Sequence, residues 1–178
     1  MIISPGHMQR SYIEGARSRH QKPFSMFFIC ATIVALSRYW ILNAVIKYYH
    51  AVDIPEATFF HEYMVLTYIA LLPVYALLAY IFFYKSGYNY AELGVMILYT
   101  VSFLFLGSIL ISSLRLIWPY VDTAYIEFPI FSIYFTITLI HFFTRLPGWV
   151  VILKSIIIMT AVFFLNQVTE DFVVRLIS

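Results

Sequence analysis

Arg38 is the residue whose place in the chain most demands a chemical explanation. It sits inside a long apolar run, between Ser37 and the pair Tyr39-Trp40. A charge within a membrane helix costs roughly 2.5–3.5 kcal/mol on insertion scales, so it needs a partner or a route to water. Two outcomes suit its place near one end of the run. The side chain snorkels to the headgroups, or it enters a buried ion pair or anion site. Glu62 is the first-choice partner, because it opens the next apolar segment at the same depth. Arg115 shares a helical stripe with Ser108 and Ser112, where small residues allow close helix packing. Asn166 and Glu170 lie four apart near the end of the last segment. Arg38, Glu62, Arg115, Asn166 and Glu170 thus form a candidate buried polar cluster, suited to an anionic lipid headgroup or a partner helix. Packing alone is the plainer role for the Arg115 stripe.

Other reactive types are scattered. His50, Asp53, Glu56 and His61 share one loop. Their types suit a divalent metal, but the spacing matches no metal site and a solvated loop explains them. His141 lies on a stripe with Tyr134 and Thr138, at the opposite depth from His61. The two cannot ligate one haem, and His141 reads as a satisfied interhelical histidine. No Ser-His-Asp set falls at one depth, and no glycine loop could cradle a phosphate. The one cysteine, Cys30, lies in an apolar run and reads as a small core residue. No cofactor or metal is expected.

The elements that must position these residues are membrane spans. The chain has 178 residues, 62% of them hydrophobic and 11% charged, where soluble domains carry about 25% charge. Five apolar segments follow one another at about 24–46, 63–84, 93–118, 126–143 and 149–168, each near the ~20 residues that cross a bilayer core as a helix. Nothing alternates like barrel strands, so helices follow. Lys85-Ser86-Gly87-Tyr88-Asn89 is a turn, Pro119 and Pro129 flank the connection 120–128, and Pro147-Gly148 separates the last two segments. Pro73 lies mid-helix and should kink the second span. After the fifth segment, Asn166–Asp171 is polar and 172–177 apolar again. The helix either emerges as an amphipathic end or lines a polar cavity.

Ahead of the spans lies a basic arm, residues 1–23. It is expected to be a short interfacial helix, with Met8, Tyr12 and Ile13 as a weak apolar face and Arg10, Arg17, Arg19 and Lys22 on lipid headgroups. An ordinary positive flank that sets topology is the simpler alternative. The fold expected is therefore an all-α integral membrane protein: arm 1–23, then a five-helix domain 24–178. No cleavable signal is expected ahead of the first span. With the amino terminus inside, the inner flanks hold Arg10, Arg17, Arg19, Lys22, Lys85, Arg145 and Lys154, against Lys47, Arg115 and Arg175 outside. This bias places the amino terminus in the cytoplasm and the carboxyl terminus in the periplasm.

The arm also carries a family likeness. Pro5, Gly6, Arg10, Tyr12, Gly15 and Arg17, then the Pro23-Phe24 pair, fit without gaps a pattern close to R-P-G-x-x-x-R-x-Y-x-x-G-x-R plus Pro-aromatic. The turn Tyr88-Asn89-Tyr90-Ala91-Glu92 fits a second stretch. In both, the chain resembles a bacterial membrane family known as domain of unknown function 3667. Ser4 replaces the usual Arg, and Leu93 stands where His is frequent. The resemblance is to the version without the upstream zinc ribbon. It implies a polytopic inner-membrane protein and no particular reaction.

Three functions fit these residues. The leading one is a non-catalytic accessory or scaffold subunit, acting through helix contacts, headgroup binding and other membrane subunits. The first alternative is a transporter of a small molecule or lipid, suggested by Pro73, Arg38 and the polar end of the last span. The second is an enzyme acting on lipid phosphate, with Arg10, Arg17 and Arg19 holding the phosphate. Nucleic-acid binding is not expected, since the basic residues form one short arm. Reporter fusions at the two termini should place them in opposite compartments; activity in the same compartment would refute an odd number of crossings.

Overall fold

The computed structural model describes residues 6–16, 20–49, 63–118, 121 and 123–177. Arg17, Arg19, Glu62 and the loop set His50, Asp53, Glu56 and His61 lie outside them. Among the described residues the chain is helical and without strands: α1 (His7–Ile13), α2 (Pro23–Tyr49), α3 (Met64–Phe82), α4 (Tyr90–Ser112), α5 (Ala124–Phe142) and α6 (Gly148–Ile177). Short 3-10 turns, Tyr84–Ser86 and Ser113–Leu116, follow α3 and α4.

Helices α2, α4, α5 and α6 are long and apolar enough to cross a membrane. The described part of α3 that is apolar throughout, Leu66–Phe82, is shorter. Several boundaries differ from expectation: α2 runs on to Tyr49, and α4 starts at Tyr90. The fourth segment starts earlier, at Ala124, so Pro129 lies inside α5 and not at the edge of a connection. It is the sixth residue of the helix, so the helix runs through it at the cost of the bond its N–H would give to the Tyr125 carbonyl. The last segment is one unbroken helix of 30 residues, about 45 Å long at 1.5 Å per residue. Its polar stretch stays helical and turns into the bundle, as described below.

Helix α4 is the central post. Leu93, Met96, Ile97, Tyr99, Thr100, Ser102 and Phe105 are all buried, and α2, α3, α5 and α1 pack on it. Its start is fixed by a reciprocal capping box. Asn89 Oδ1 accepts from the Glu92 backbone N–H at 2.9 Å, and Glu92 Oε2 accepts from the Asn89 N–H at 2.8 Å. Two orphan donors of the first turn are thereby satisfied. At this same end Lys154 Nζ donates to the carbonyl of Phe82, the last residue of α3, at 2.6 Å. The ring of Phe83 stacks on Phe143 at 4.2 Å. Between apolar helices the lipid supplies no hydrophobic drive, so such close packing and interhelical polar bonds hold the bundle. Thr136 and Ser155 join α5 to α6 in the same way, at 2.7 Å.

Among the described residues of the arm one short helix forms, α1. It has seven residues, and it packs against α4 and α5. The most enclosed side chain is Gln9, 1% exposed, while Met8, Tyr12 and Ile13 are half-buried. Gln9 Nε2 donates to Thr100 Oγ1 at 3.2 Å. The Tyr12 ring meets Tyr99 edge-on at 5.5 Å, and the Tyr99 hydroxyl donates to the Gln21 carbonyl just before α2. Arg10 bridges to Glu14 at 2.6 Å and to Thr144 Oγ1 at 2.5 Å. This end of the bundle is called the arm end below, and the opposite one the far end.

Gly6 makes the docking possible. It has φ of 89°, which only glycine adopts cheaply. A Cβ there would run into the Thr138 carbonyl oxygen and lie 2.9 Å from His141 Cβ. Gly15, with φ of 123°, ends the arm helix, but a Cβ there meets nothing within 4 Å. Gly6→Ala should therefore lower stability more than Gly15→Ala. Backbone strain of about 1–3 kcal/mol is common to both, and the collision falls on Gly6 alone. Thermal unfolding in detergent checks the order, and equal or reversed effects would contradict it.

Candidate functional site

The buried face of α2 explains what becomes of Arg38. Phe27, Ala31, Val34, Leu42 and Val45 are all buried, and they follow one another at spacings of three, four or eight. Arg38 falls on this same stripe, four residues after Val34, so it points into the bundle. There its Nη2 donates to Glu127 Oε1 at 2.7 Å, with the two side chains 13% and 17% exposed. Glu127 lies in the first turn of α5, where a carboxylate is also favoured by the helix dipole. The described partner of Arg38 is thus Glu127, and a snorkelling arginine is not what the structure shows. Glu62, the expected partner, lies outside the described residues.

The pair stands on the wall of a cavity of about 770 Å³ at the far end. Arg38, Arg115, Asn166 and Glu170, four of the five residues of the sequence-derived cluster, all line it. Glu127, Asp171, Arg175, Gln167 and Thr67 add further polar groups. The deeper wall is apolar: Ile97, Val101, Phe105, Phe131, Phe135, Ile158 and Val162. At 2.5 Å the Tyr75 hydroxyl donates to Asn166 Oδ1, which ties α3 to α6 inside the cavity. Ser108 also lines it, but its hydroxyl bonds back to the Phe105 carbonyl at 2.9 Å. Ser112 is buried and is not part of the lining. The stripe of small residues therefore brings helices together, and only its last member, Arg115, offers a charge. Arg115 Nε is buried and meets no acceptor among the described residues.

The cavity and the arm share one residue. Thr100 lines the cavity floor and accepts the Gln9 amide, while donating its own proton to the Met96 carbonyl at 2.9 Å. The arm thus stands behind the floor, and Gln9 Oε1 is left there without a hydrogen-bond partner. His141 is expected to be satisfied between helices. Instead its ring lies 5.2 Å from that of His7, and its Nδ1 is buried without a partner among the described residues.

The proposed headgroup residues separate. Arg10 is held by Glu14, whose hydrogen bond keeps the guanidinium pKa above its ordinary range. Lys22 is exposed, and Arg17 and Arg19 lie outside the described residues. Among the described residues no three His, Cys, Asp or Glu side chains come together as a metal site.

Sequence reasoning missed Glu127 and Thr100. A signal existed for the first, a lone carboxylate at the mouth of a span on the same side as Arg38. None existed for the second, because threonine within an apolar helix usually bonds to its own backbone.

Apolar helices packed around a partly charged cavity mark a helical membrane protein. A family model described as protein of unknown function (DUF3667) matches residues 1–34, which supports assigning the chain to that family. The matched residues are the arm and the first turns of α2, and they include Gly6, Gln9 and Arg10, which seat the arm. No curated protein and no solved structure matches the chain.

Arg38 and Glu127 should be strongly coupled. Arg38→Leu and Glu127→Leu are each expected to destabilise the protein by about 3–5 kcal/mol, because each strands a buried charge. The double variant should lose clearly less than the sum. Additive losses in a denaturation cycle would mean that the two do not form a pair.

Proposed function

We propose that the protein spans a bacterial inner membrane five times, with the arm end in the cytoplasm, and carries an amphipathic, anionic small molecule or lipid in the far-end cavity. One observation supports this reading above the others: a single cavity has an apolar depth, an ion-paired wall and a buried arginine nitrogen without an acceptor among the described residues. Its volume of about 770 Å³ falls within the roughly 300–1,000 Å³ typical of small-molecule pockets, which likewise join apolar walls to a few placed polar groups. An accessory subunit that works by helix contacts has no use for an internal cavity of this size, so the transporter reading moves ahead of it. Alternation of five helices between two ends fits the short turns 83–89 and 143–147 at the arm end, and the basic residues gathered there fit the positive-inside rule.

In this reading the Arg38–Glu127 pair keeps the wall polar without offering net charge, and Arg115 meets the anionic group. Arg17, Arg19 and Lys22 sit at the cytoplasmic headgroups. Binding of a nitrobenzoxadiazole-labelled lysophosphatidic acid to purified protein tests the proposal. Saturable binding is expected, weakened by Arg115→Gln and abolished when Val101→Trp fills the apolar depth. Unsaturable binding, or binding that survives Val101→Trp, would refute it.

A further inference from the structure

A second, smaller cavity lies at the arm end, apart from the first. It measures about 270 Å³ and lies between the arm, the α3–α4 turn and the α5–α6 turn. The two stretches of sequence that carry the family likeness face each other across it, Arg10 and Glu14 from the arm, Tyr88 and Glu92 from the turn. Arg145, Ser86 and Thr144 complete its polar lining.

The hydrogen-bonding capacity of this crevice is lopsided. One oxygen of each carboxylate is engaged: Glu14 Oε1 takes Arg10 Nε, and Glu92 Oε2 takes the Asn89 backbone N–H. The hydroxyl and guanidinium donors outnumber the two carboxylate oxygens that remain. Ser86 Oγ is buried without a partner among the described residues. Thr144 Oγ1 accepts from Arg10 Nη1, which leaves its own proton to give. Arg145 is exposed, and no hydrogen bond or ion pair engages it among the described residues. Burial pushes the Tyr88 hydroxyl pKa up, so it remains a donor at neutral pH. A buried donor left without an acceptor costs about 1–3 kcal/mol. In this crevice that donor is Ser86 Oγ; an acceptor-only group that reaches it relieves the cost and takes the exposed Arg145 as well, since arginine pairs best with planar or tetrahedral oxyanions.

We infer that this crevice binds a phosphate group, with Arg145 and the outer nitrogens of Arg10 on its charge and the Ser86, Thr144 and Tyr88 hydroxyls on its oxygens. The phosphate comes either from a lipid headgroup at this face of the membrane or from a free phosphate compound. The site does not depend on the far-end cavity. By bracing Arg10, a bound phosphate also steadies the arm in its seat.

Calorimetry on the full chain in dodecyl maltoside tests this, with inorganic phosphate in one arm and dihexanoyl phosphatidylglycerol in the other. Saturable binding of at least one probe is expected. Arg145→Gln should weaken it by about tenfold or more, the loss of a charge-assisted hydrogen bond, and Ser86→Ala by less. Arg115→Gln, in the other cavity, should leave it unchanged. Binding of inorganic phosphate assigns the site to the phosphate group itself, and binding of the lipid alone assigns it to a membrane headgroup. Failure of both probes to saturate would overturn the inference, as would wild-type binding by both Arg145→Gln and Ser86→Ala. Arg145 is exposed and Ser86→Ala removes one unpartnered oxygen, so neither variant threatens the fold.

Discussion

Two helices diverging from a shared line of contact leave a cleft that something must occupy. In this chain α4 and α5 touch where Phe103 stacks on Tyr134 and Gly107 approaches Phe131. At the arm end the space beside them is taken by α1, which packs on both. At the far end it stays open as the large cavity, lined by both. The close approach of Gly6 to the α5 backbone sets how deeply the arm sits. That depth in turn brings Gln9 to Thr100. Lipid gives apolar helices no reason to prefer one another, so backbone proximity and buried polar bonds decide their arrangement. The arm supplies both.

Electrostatics divide along the same axis. At the far end Arg38 and Glu127 neutralise each other within the bundle, which keeps two charges below the surface without exposing either to the apolar wall. Such a pair gains little net stability over an apolar substitute, but losing one partner is costly, so it fixes the relative placement of α2 and α5. At the arm end the charges are shallower. Arg10 and Glu14 are partly exposed, Lys154 caps α3, and the two Phe-Phe turns lock together beneath them through Phe83 and Phe143. One end is a set of joints, the other a lined space.

Much of this was legible in the residues. Apolar runs reveal spans because a helix must be apolar over its whole length to lie in lipid, and the turn at 85–89 shows because Ser86, Gly87 and Asn89 cluster between two such runs. Arg38 is visible because a charge in an apolar run has so few explanations. Four of five cluster residues line one cavity for the same reason: polar residues at one depth on different helices converge when the helices pack. What escaped has equally physical causes. Glu127 is 89 residues from Arg38, and no periodicity links partners on separate helices. The packing of the arm on α4 and α5 was hidden because the arm is basic and polar. Burial of Gln9 depends on the fit around Gly6, which local polarity does not encode. Pro129 suggested a boundary because proline breaks helices, yet here the helix runs through it at the cost of one backbone bond.

The claim that the arm is seated between α4 and α5 is tested most directly by cross-linking in native membranes. With Cys30→Ala removing the natural thiol, His7→Cys and His141→Cys place two sulfurs where rings now lie 5.2 Å apart. A seated arm predicts that mild oxidation joins them within one chain, and that a Gln9→Cys thiol, at a site 1% exposed, reacts more slowly with a water-soluble maleimide than one at the exposed position 22. No cross-link, together with equal reactivity at the two positions, would mean that the arm lies free of the bundle.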